Sequence, residues 1–444
     1  MIQIAAVGGY GEIGRNCTAI RVDDEVIILD MGIHLEHYIE FTNDEDMHYY
    51  TYKELIAADA IPNVLEIDDW KDMIKAVICG HAHLDHIGAV PYLANKVGAQ
   101  VICSPFTGAV IKAIAHDDKI KLKVPLKVLN PNSKCDITPN IKVEFINATH
   151  STPQSVHVAL HTKYGVILYS NDFKLDNSPL IEKKTNYDRL KELGDQGKII
   201  ALVGECLYAW NPQKCPSENI AKQMLSDVLL ETDTKGKAVL VTTFSSHIAR
   251  IKTMVELGQK MNRKVVILGR SLSKYMGAAE EVGLAPFLKG VKVIKYREEI
   301  TKFLKKANSE KDKYLLIITG HQGEPKALLS RIVTKEIPFD LKPNDIVVFS
   351  CQVIPAEINI KNREELEEKL KRLKVRIFRD VHVSGHAFRE DLRDFIKMTR
   401  PKFIFPTHGL KKMTDAYLEL AKEEGYNENN VFILKNKQRK TLDV

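Results

Sequence analysis

The segment His81-Ala-His83-Leu-Asp85-His86 follows the apolar stretch AVIC of residues 76–79, and it decides how the rest of the chain is interpreted. The apolar stretch predicts a buried β-strand, so the segment begins where a strand ends. It holds three imidazoles and one carboxylate, which are donor groups that zinc and similar divalent ions bind. One helical face could not present all four side chains. A loop can divide them, with His81 and His83 at one ion and Asp85 and His86 at a second.

Two ions need further ligands, and other strand ends supply candidates. His150 follows EFINAT, Asp172 follows VILYSN and His408 follows FIFPT, each of which predicts a strand or its end. Singly, each residue would be interpreted as an ordinary loop residue, but together they repeat a ligand at the carboxyl end of a β-strand. Asp172 is suited to bridge both ions. Asp30 ends the strand VIILD and is predicted to anchor a ligand imidazole.

A glycine motif near the N-terminus could be mistaken for a nucleotide-binding fingerprint. Gly9, Gly11 and Gly14 form G-x-G-x-x-G after a strand, and Asp30 lies about 20 residues further on. A dinucleotide site requires a helix directly after these glycines, because the helix N-terminus holds the pyrophosphate. The following CTAIRV is typical of a strand instead. The motif therefore predicts a tight turn beside the active site.

Length and composition limit the class of protein. The chain has 444 residues, which suggests two or three domains, and 44% hydrophobic with 27% charged residues is typical of a globular protein. A net charge of +6 permits an anionic partner without requiring one. No apolar run approaches the ~18 residues of a membrane span, and the N-terminus lacks the basic start of a secretory signal, so no membrane association is expected. The seven scattered cysteines form no CxxC motif, which favours a reducing cytoplasm.

The pattern of predicted elements changes along the chain. Residues 34–72 are polar and acidic in part, and they predict an irregular surface insertion with one or two short helices. From about residue 207, buried strands such as AVLVTT and YLLIITG alternate with helical patterns, which predicts a parallel, doubly wound sheet. After about residue 388 the pattern of short strands, loops and helices that precedes residue 207 returns.

The ordered motifs resemble those of a known superfamily. GGYGEIG, LDMG with Asp30, HAHLDH, His150 and Asp172 are similar to the successive motifs of the metallo-β-lactamase superfamily. Glu205 after LVG, together with His386 in VSGHA and His408 in PTHG, resembles the three extra motifs of the β-CASP nucleases. TTFSSHIAR, TGHQGEP and HVSGHA are most similar to segments of the ribonuclease J family in its short, archaeal-type form.

This resemblance implies an α/β fold in which a metallo-β-lactamase αββα sandwich, residues 1–206 and 388–444, contains an inserted β-CASP domain, residues 207–387. It implies hydrolysis of RNA phosphodiesters with two divalent ions, zinc first, with manganese or magnesium as alternatives. The expected activity is a 5′→3′ exoribonuclease of RNA maturation and decay that prefers 5′-monophosphate ends, with some endonuclease cleavage. The alternative is a β-CASP endoribonuclease acting on RNA 3′ ends. The expected partners are single-stranded RNA and a second copy of the chain.

The resemblance also implies roles for individual residues. His386 would protonate or stabilise the leaving 3′ oxygen, Asp85 would act in catalysis besides holding metal, and Glu205 would orient His386 or a neighbouring ligand. The HVSGHA loop, residues 382–387, would hold the phosphate at the scissile end. The spacing alone also fits a plain turn. Ser245 and Ser246 could contact RNA phosphate or cap a helix. The predicted substrate residues are His382, Val383, Ser384, Gly385, His386, Ser245 and Ser246.

The remaining histidines carry weaker signals. His157 and His161 share one face of a strand whose other face is apolar, so a surface or interface position is predicted for both. His34, His37 and His48 lie in the acidic insertion, where an accessory metal site is disfavoured.

Overall fold

The computed structural model describes residues 1–42, 50–355 and 357–443. The chain divides into two compact units, which are described one at a time. The first unit comprises residues 1–177 and 182–215 and the chain from Gly385 onward, and the second comprises residues 178–181 and 216–384. The chain thus enters the second unit after Cys215 and leaves it after Ser384. The predicted boundaries after residues 206 and 387 stay predictions.

The described part of the first unit contains two β-sheets. The strands of the first sheet are β1 (Ile2–Gly8), β2 (Cys17–Val22), β3 (Glu25–Leu29), β4 (Ile74–Cys79), β5 (Gln100–Cys103), β6 (Leu126–Val128) and β19 (Arg439–Leu442). They are arranged in the order β19-β1-β2-β3-β4-β5-β6, and β3 to β6 run parallel. The strands of the second sheet are β7 (Lys134–Asp136), β8 (Lys142–Asn147), β9 (Val156–Thr162), β10 (Gly165–Tyr169), β11 (Ile199–Glu205) and β18 (Phe403–Thr407). Their order is β18-β11-β10-β9-β8-β7.

Helices cover the sheets of this unit. They are α1 (Leu35–Thr42), α2 (Tyr52–Ala57), α3 (Leu84–Ile87), α4 (Val90–Val97), α5 (Pro105–Asp117), α6 (Tyr187–Asp195), α13 (Arg389–Thr399) and α14 (Lys411–Glu423), with a 3₁₀ helix at Val64–Met73. One buried cluster joins Ile4 and Ile78 of the first sheet to Phe145 and Phe405 of the second, so the sheets face each other. A second cluster packs Phe395 of α13 and other helix residues on the outer face of the second sheet. The predicted αββα sandwich is confirmed.

The glycine turn has the predicted local structure. Gly9, Gly11 and Gly14 have φ of +84°, +82° and +88°, a region that side-chain-bearing residues rarely adopt. The next regular element is strand β2, without an intervening helix. The segment therefore lacks the helix N-terminus that a dinucleotide site requires.

The surface or interface position predicted for His157 is wrong. His157 is fully buried, because the face of β9 opposite Val156 is covered by Phe173 and by Phe395 of α13. Its Nδ1 donates to the carbonyl oxygen of Ser170 at 2.6 Å. A strand covered on both faces no longer separates apolar from exposed sides, which is why the alternation was misleading. His161 lies half-buried beside the carboxylate of Glu144.

The insertion contains the predicted short helices, but it buries more apolar side chains than a surface segment was expected to bury. Its described residues form α1, α2 and the 3₁₀ helix, and Leu55, Ile61 and Trp70 are buried. Because these apolar side chains are spread through a polar segment, no periodic pattern revealed them. His34 and His37 stack with ring centroids 3.8 Å apart, while residues 43–49, including His48, lie outside the described residues.

The second unit contains a parallel sheet, as predicted. Its strands are β12 (Val239–Thr242), β13 (Lys264–Leu268), β14 (Lys292–Ile294), β15 (Tyr314–Ile318), β16 (Ile346–Phe349) and β17 (Arg376–Phe378). Their order is β14-β13-β15-β12-β16-β17, and every described pairing is parallel. The helices are α7 (Glu218–Leu230), α8 (Ile248–Lys260), α9 (Arg270–Glu281), α10 (Arg297–Ala307), α11 (Leu328–Val333) and α12 (Glu357–Arg372), with 3₁₀ helices at Pro286–Leu288 and Lys311–Lys313. In the described ranges of both units, no helix has the length and apolarity needed to cross a membrane.

Candidate metal centre

The predicted ligands meet because their strands end at the same edges of the two sheets. Strands β8, β10, β11 and β18 run in one direction, since β8 and β10 are both antiparallel to β9 while β10, β11 and β18 are mutually parallel. His150, Asp172 and His408 follow the carboxyl ends of β8, β10 and β18. The HAHLDH segment follows the carboxyl end of β4 in the facing sheet. Parallel strand ends therefore gather residues that are far apart in the sequence.

The first ligand group comprises His81, His83, His150 and Asp172, whose candidate ligand atoms all lie within 4.8 Å of one another. Nδ1 of His83 lies 3.1 Å from Nε2 of His81 and 3.1 Å from Nε2 of His150. Nε2 of His81 lies 3.6 Å from Oδ2 of Asp172. This arrangement offers three imidazole nitrogens and one carboxylate oxygen to a single ion.

The second ligand group comprises Asp85, His86, Asp172 and His408, with the same 4.8 Å limit. Oδ2 of Asp172 lies 3.1 Å from Nε2 of His86 and 3.7 Å from Nε2 of His408. Oδ2 of Asp85 lies 3.6 Å from Nε2 of His408. Asp172 thus belongs to both groups, in the position predicted for a bridging carboxylate.

A third group joins Asp172 to Glu205 and His386. Nδ1 of His386 donates to Oε2 of Glu205 at 2.7 Å and lies 3.8 Å from Oδ2 of Asp172. The other oxygen of Glu205 accepts from the backbone amide of Phe173 at 2.9 Å. Glu205 is buried, whereas 19% of the His386 side chain is exposed. The carboxylate therefore fixes the orientation of an imidazole that solvent or substrate can reach.

Hydrogen bonds behind the first two groups fix the ligand tautomers. Nδ1 of His81 donates to Oδ1 of Asn171 at 2.8 Å, and Nδ1 of His86 donates to Oδ2 of Asp30 at 2.7 Å. Nδ1 of His150 donates to the carbonyl oxygen of Gly385 at 2.7 Å. When Nδ1 holds the proton, Nε2 carries the lone pair that a metal needs. All three Nε2 atoms lie in the ligand groups.

Some polar atoms at this site lack hydrogen-bond partners among the described residues, and a divalent metal ion would replace those partners. Neither carboxylate oxygen of Asp172 accepts a well-formed hydrogen bond from the described residues, although the side chain is buried. A buried carboxylate without such partners is costly. In the first group, Nδ1 of His83 lies 3.1 Å from the Nε2 atoms of both His81 and His150, and the single proton that it can carry does not satisfy both of their lone pairs. A divalent cation resolves both conflicts.

The pKa values agree with this donor set. Burial lowers the pKa of His83 to about 4. Burial also lowers the pKa of three other ligand imidazoles, so these stay neutral near pH 7. The other imidazoles whose pKa burial lowers are His81, His150 and His408. Burial opposes the charged form of His86 as well, but Asp172, Asp85 and Asp30 outweigh it and raise its pKa. The surplus of carboxylate around His86 is what a divalent cation would neutralise.

Sequence reasoning missed several supporting residues. Asn171 orients His81, and Tyr169 donates from its hydroxyl to Oδ2 of Asp30 at 2.7 Å. Nδ2 of Asn16 lies 3.0 Å from nitrogens of two ligand imidazoles. A Cβ at Gly80 would lie 2.0 Å from Nδ2 of Asn171, so only glycine permits this approach. Asn171 and Tyr169 could have been flagged by their places at the end of β10, but nothing in the sequence pointed to Asn16.

The predicted substrate residues fall in both units. Gly385 and His386 belong to the first unit, while the second contains the other five, which are His382, Val383, Ser384, Ser245 and Ser246. Oγ of Ser245 lies 2.9 Å from Oγ of Ser271. The N-cap of α8 is His247, so the structure does not support the helix-cap alternative for either serine.

Buried Arg250 supports part of the predicted phosphate loop within the second unit. Its guanidinium pairs with the carboxylate of Glu218 at 2.5 and 2.8 Å. It also donates to the carbonyl oxygen of Val381 at 3.3 Å and lies 3.3 Å from Nδ1 of His382. Arg250 thereby links Glu218 of α7 to the start of the loop, at Val381 and His382.

Comparisons with known proteins agree with this geometry. The chain matches models of the metallo-beta-lactamase superfamily over residues 10–202, the ribonuclease J beta-CASP domain over 236–365, and a Zn-dependent metallo-hydrolase RNA specificity domain over 372–434. A crystal structure of a protein of unknown function from Enterococcus faecalis V583 is similar with a TM-score of 0.64 at 17% identity, covering 99% of this chain and 100% of that one. That likeness concerns the fold alone.

Curated relatives match along nearly the whole chain. The sequence is 43% identical to ribonuclease J of Methanocaldococcus jannaschii over 98% of both chains. It is 39% identical to ribonuclease J of Pyrococcus abyssi, over 98% of this chain and 96% of the relative. It is 30% identical to ribonuclease J of Synechocystis sp., of which it covers 64%. With its strand-end ligand groups and both domain types, the chain belongs to the ribonuclease J family.

Proposed function

We propose that this protein is a metal-dependent ribonuclease that hydrolyses RNA phosphodiesters from the 5′ end with two divalent ions. The observation that carries the proposal is the sharing of Asp172 by two ligand groups, beside the hydrogen-bonded pair of His386 and Glu205. Two adjacent cations suit a phosphodiester, because its attacking and leaving oxygens both need charge stabilisation. The family membership supports RNA as the substrate.

The ligand residues would hold the two ions in a fixed geometry, and the ions would in turn hold the scissile phosphate. When bound, divalent ions withdraw charge from the scissile phosphate and lower the pKa of an attacking water. The chain contributes the rigidity of this site, because His81, His86 and His150 are each fixed by a hydrogen bond at Nδ1. Zinc is the expected ion, since imidazole nitrogen with carboxylate oxygen is a common zinc donor set. Manganese fits the same donors.

His386 is proposed to give a proton to the leaving 3′ oxygen. Its Nδ1 is engaged by Glu205, so Nε2 is the atom that can face the substrate. Burial disfavours the charged imidazole, but the carboxylates of Glu205 and Asp172 outweigh this effect and raise the pKa of His386 to about 9. A raised pKa favours the charged ring, which is the form from which a general acid donates. Glu205 acts indirectly, by positioning His386. Asp85 acts by holding an ion as a member of the second ligand group.

The direction of digestion follows from the proposed role of the HVSGHA loop. His382, Ser384 and the amide of Gly385 would hold the phosphate next to the cleaved bond. Hydrolysis that frees the 3′ oxygen of the terminal nucleotide leaves a 5′-monophosphate on the shortened RNA, which is therefore again a substrate. A 5′-triphosphate adds bulk and charge at that end, and we expect slower attack on it.

The metal requirement and the substrate class are tested together. The purified protein is treated with a chelator, dialysed and supplied with zinc or manganese, and RNA, a small lactam and a thioester are offered to each sample. The proposal requires that RNA cleavage is lost with the metal and restored with it. RNA cleavage that persists in verified metal-free protein, or hydrolysis of only the small substrates, would contradict it. Asp172→Asn is the matched variant, because it removes the shared carboxylate and should abolish restoration.

A further inference from the structure

A row of aromatic rings extends from His386 toward the surface of the first unit. The ring centroids of His386 and Tyr208 lie 5.9 Å apart at an interplanar angle of 39°. Those of Tyr208 and Trp210 lie 6.0 Å apart at 36°. The rings are thus spaced within the range of aromatic contacts and tilted only moderately from one another. The row begins at the residue proposed to act on the leaving group.

The outer end of the row is open and carries a positive charge. Trp210 is 45% exposed, which is unusual for the largest apolar side chain, whereas Trp70 of the same unit is 1% exposed. Nζ of Lys412 lies 5.3 Å from the centroid of the Trp210 ring. Among the described residues, Lys412 has no carboxylate partner. Leu410, which is 48% exposed, is the N-cap of α14, and Lys412 lies in the first turn of that helix.

The position of these residues follows from the topology of the second sheet. Glu205 ends β11 and is followed by the loop with Tyr208 and Trp210, while His408 follows β18 and precedes Lys412. Strands β11 and β18 are adjacent and parallel, with Glu205 paired to Thr407. The same sheet edge that positions Glu205 and His408 therefore positions the row of rings.

The loop is held rigidly, so the rings are oriented in advance. The amide of Ala209 donates to the carbonyl oxygen of Cys206 at 3.1 Å, and the amide of Asn211 donates to that of Tyr208 at 3.0 Å. Arg389 secures the loop from α13, because its guanidinium donates to the carbonyl oxygen of Ala209 and its amide donates to that of Asn211. Ordering the loop therefore costs little when a ligand binds.

We propose that Tyr208 and Trp210 form a stacking site for nucleobases of a single-stranded RNA, with Lys412 attracting the phosphate backbone beside it. This inference rests on the proposed ribonuclease function. Aromatic faces stack on any base, and a nearby cation favours the polyanionic chain, so the site would bind RNA without sequence preference. The proposed occupant is the polymeric RNA substrate, because Lys412 is placed to attract its phosphate backbone, and not a free nucleotide.

Fluorescence provides a direct test, because the chain has only two tryptophans. A short phosphorothioate RNA with a 5′-monophosphate, which resists cleavage, is titrated into the metal-loaded protein. Stacking on Trp210 should quench its emission in the wild type and not in Trp210→Phe, whose remaining tryptophan is buried. An RNA whose nucleotides lack bases should bind without this quenching. Equal quenching by a free nucleoside monophosphate, at the same nucleotide concentration, would overturn the assignment to the RNA chain.

Kinetics on cleavable RNA separate binding from chemistry. Trp210→Ala should raise KM about 5- to 100-fold, the range for loss of one base–aromatic stack, and leave kcat nearly unchanged. Trp210→Phe should restore most of the affinity. The matched control is Tyr296→Ala, which removes a 61% exposed ring with Lys295 against it and should have no effect.

The two proposals fail in different ways. If the wild type cleaves RNA but Trp210→Ala keeps its KM and the quenching does not depend on Trp210, the stacking site is wrong and the ribonuclease function stands. If the metal-loaded wild type neither binds nor cleaves RNA, both the proposed function and the proposed stacking site are wrong.

Discussion

Replacing His386 with alanine separates catalysis from metal binding. Nδ1 of His386 lies 2.7 Å from Glu205, and neither four-residue ligand group includes this side chain. The variant should therefore keep the metal content of the wild type. It should lose about 10²- to 10⁴-fold in turnover, the range for a general acid. That loss corresponds to about 3–5 kcal/mol in the activation barrier.

The contribution of Glu205 can be measured in the same series. Glu205→Gln keeps a hydrogen-bond acceptor for Nδ1 of His386 but removes the negative charge that raises the pKa of the imidazole. A hydrogen bond to a charged group is worth about 1.5–3 kcal/mol, so turnover should fall by about 10- to 100-fold, less than for His386→Ala. His116→Ala is the control, because this side chain is 87% exposed.

The assay pairs elemental analysis of each purified variant with single-turnover cleavage of RNA. Unchanged metal content with slow cleavage supports the assigned role. Loss of metal in proportion to activity would make His386 a ligand and refute the reasoning. A Glu205→Gln variant more impaired than His386→Ala would show that Glu205 does not act through His386.

Three further predictions concern metal, the second unit and pH. His83→Ala should lose the first ion preferentially and His408→Ala the second, measured by elemental analysis, whereas equal loss of both ions would contradict separate groups. Arg250→Met removes the guanidinium from the buried Glu218 carboxylate and leaves Nε2 of His247 at 3.4 Å, so the free energy of unfolding should fall by about 3 kcal/mol, and an unchanged urea midpoint would count against the buried pair. Burial would raise the pKa of Glu144, but hydrogen bonds from His161 and Arg189 lower it to about 2. The carboxylate therefore stabilises the fold above its ordinary value of 4.5, and this contribution is lost as the pH falls toward 2. Glu144→Gln should cost about 1–3 kcal/mol at pH 7 and little near pH 2, and a pH-independent cost would exclude this origin.

The sequence could indicate which side chains the structure brings together, because strand ends are visible as local patterns. His150, Asp172 and His408 each follow an apolar run, and parallel strands bring such ends together. The family resemblance leaves open whether Glu205 orients His386 or a neighbouring ligand, and in the structure it forms a 2.7 Å hydrogen bond with His386.

What the sequence could not predict depends on packing between distant segments. The burial of His157 requires a helix that lies more than two hundred residues further along the chain. The contacts of Asn16 join the glycine turn to His86 and His408. Trp210 and Lys412 meet only because β11 and β18 are neighbours. None of these contacts leaves a periodic or compositional signal.

The most direct test of the central proposal is a time course on one RNA with a 5′-monophosphate, prepared in a 5′-labelled and a 3′-labelled copy. The 5′-labelled copy should release labelled mononucleotide from the earliest time points, while the 3′-labelled copy shortens progressively. The same RNA with a 5′-triphosphate should be attacked much more slowly. Internal fragments that appear first, with no labelled mononucleotide, would contradict the proposed direction and favour a β-CASP endoribonuclease.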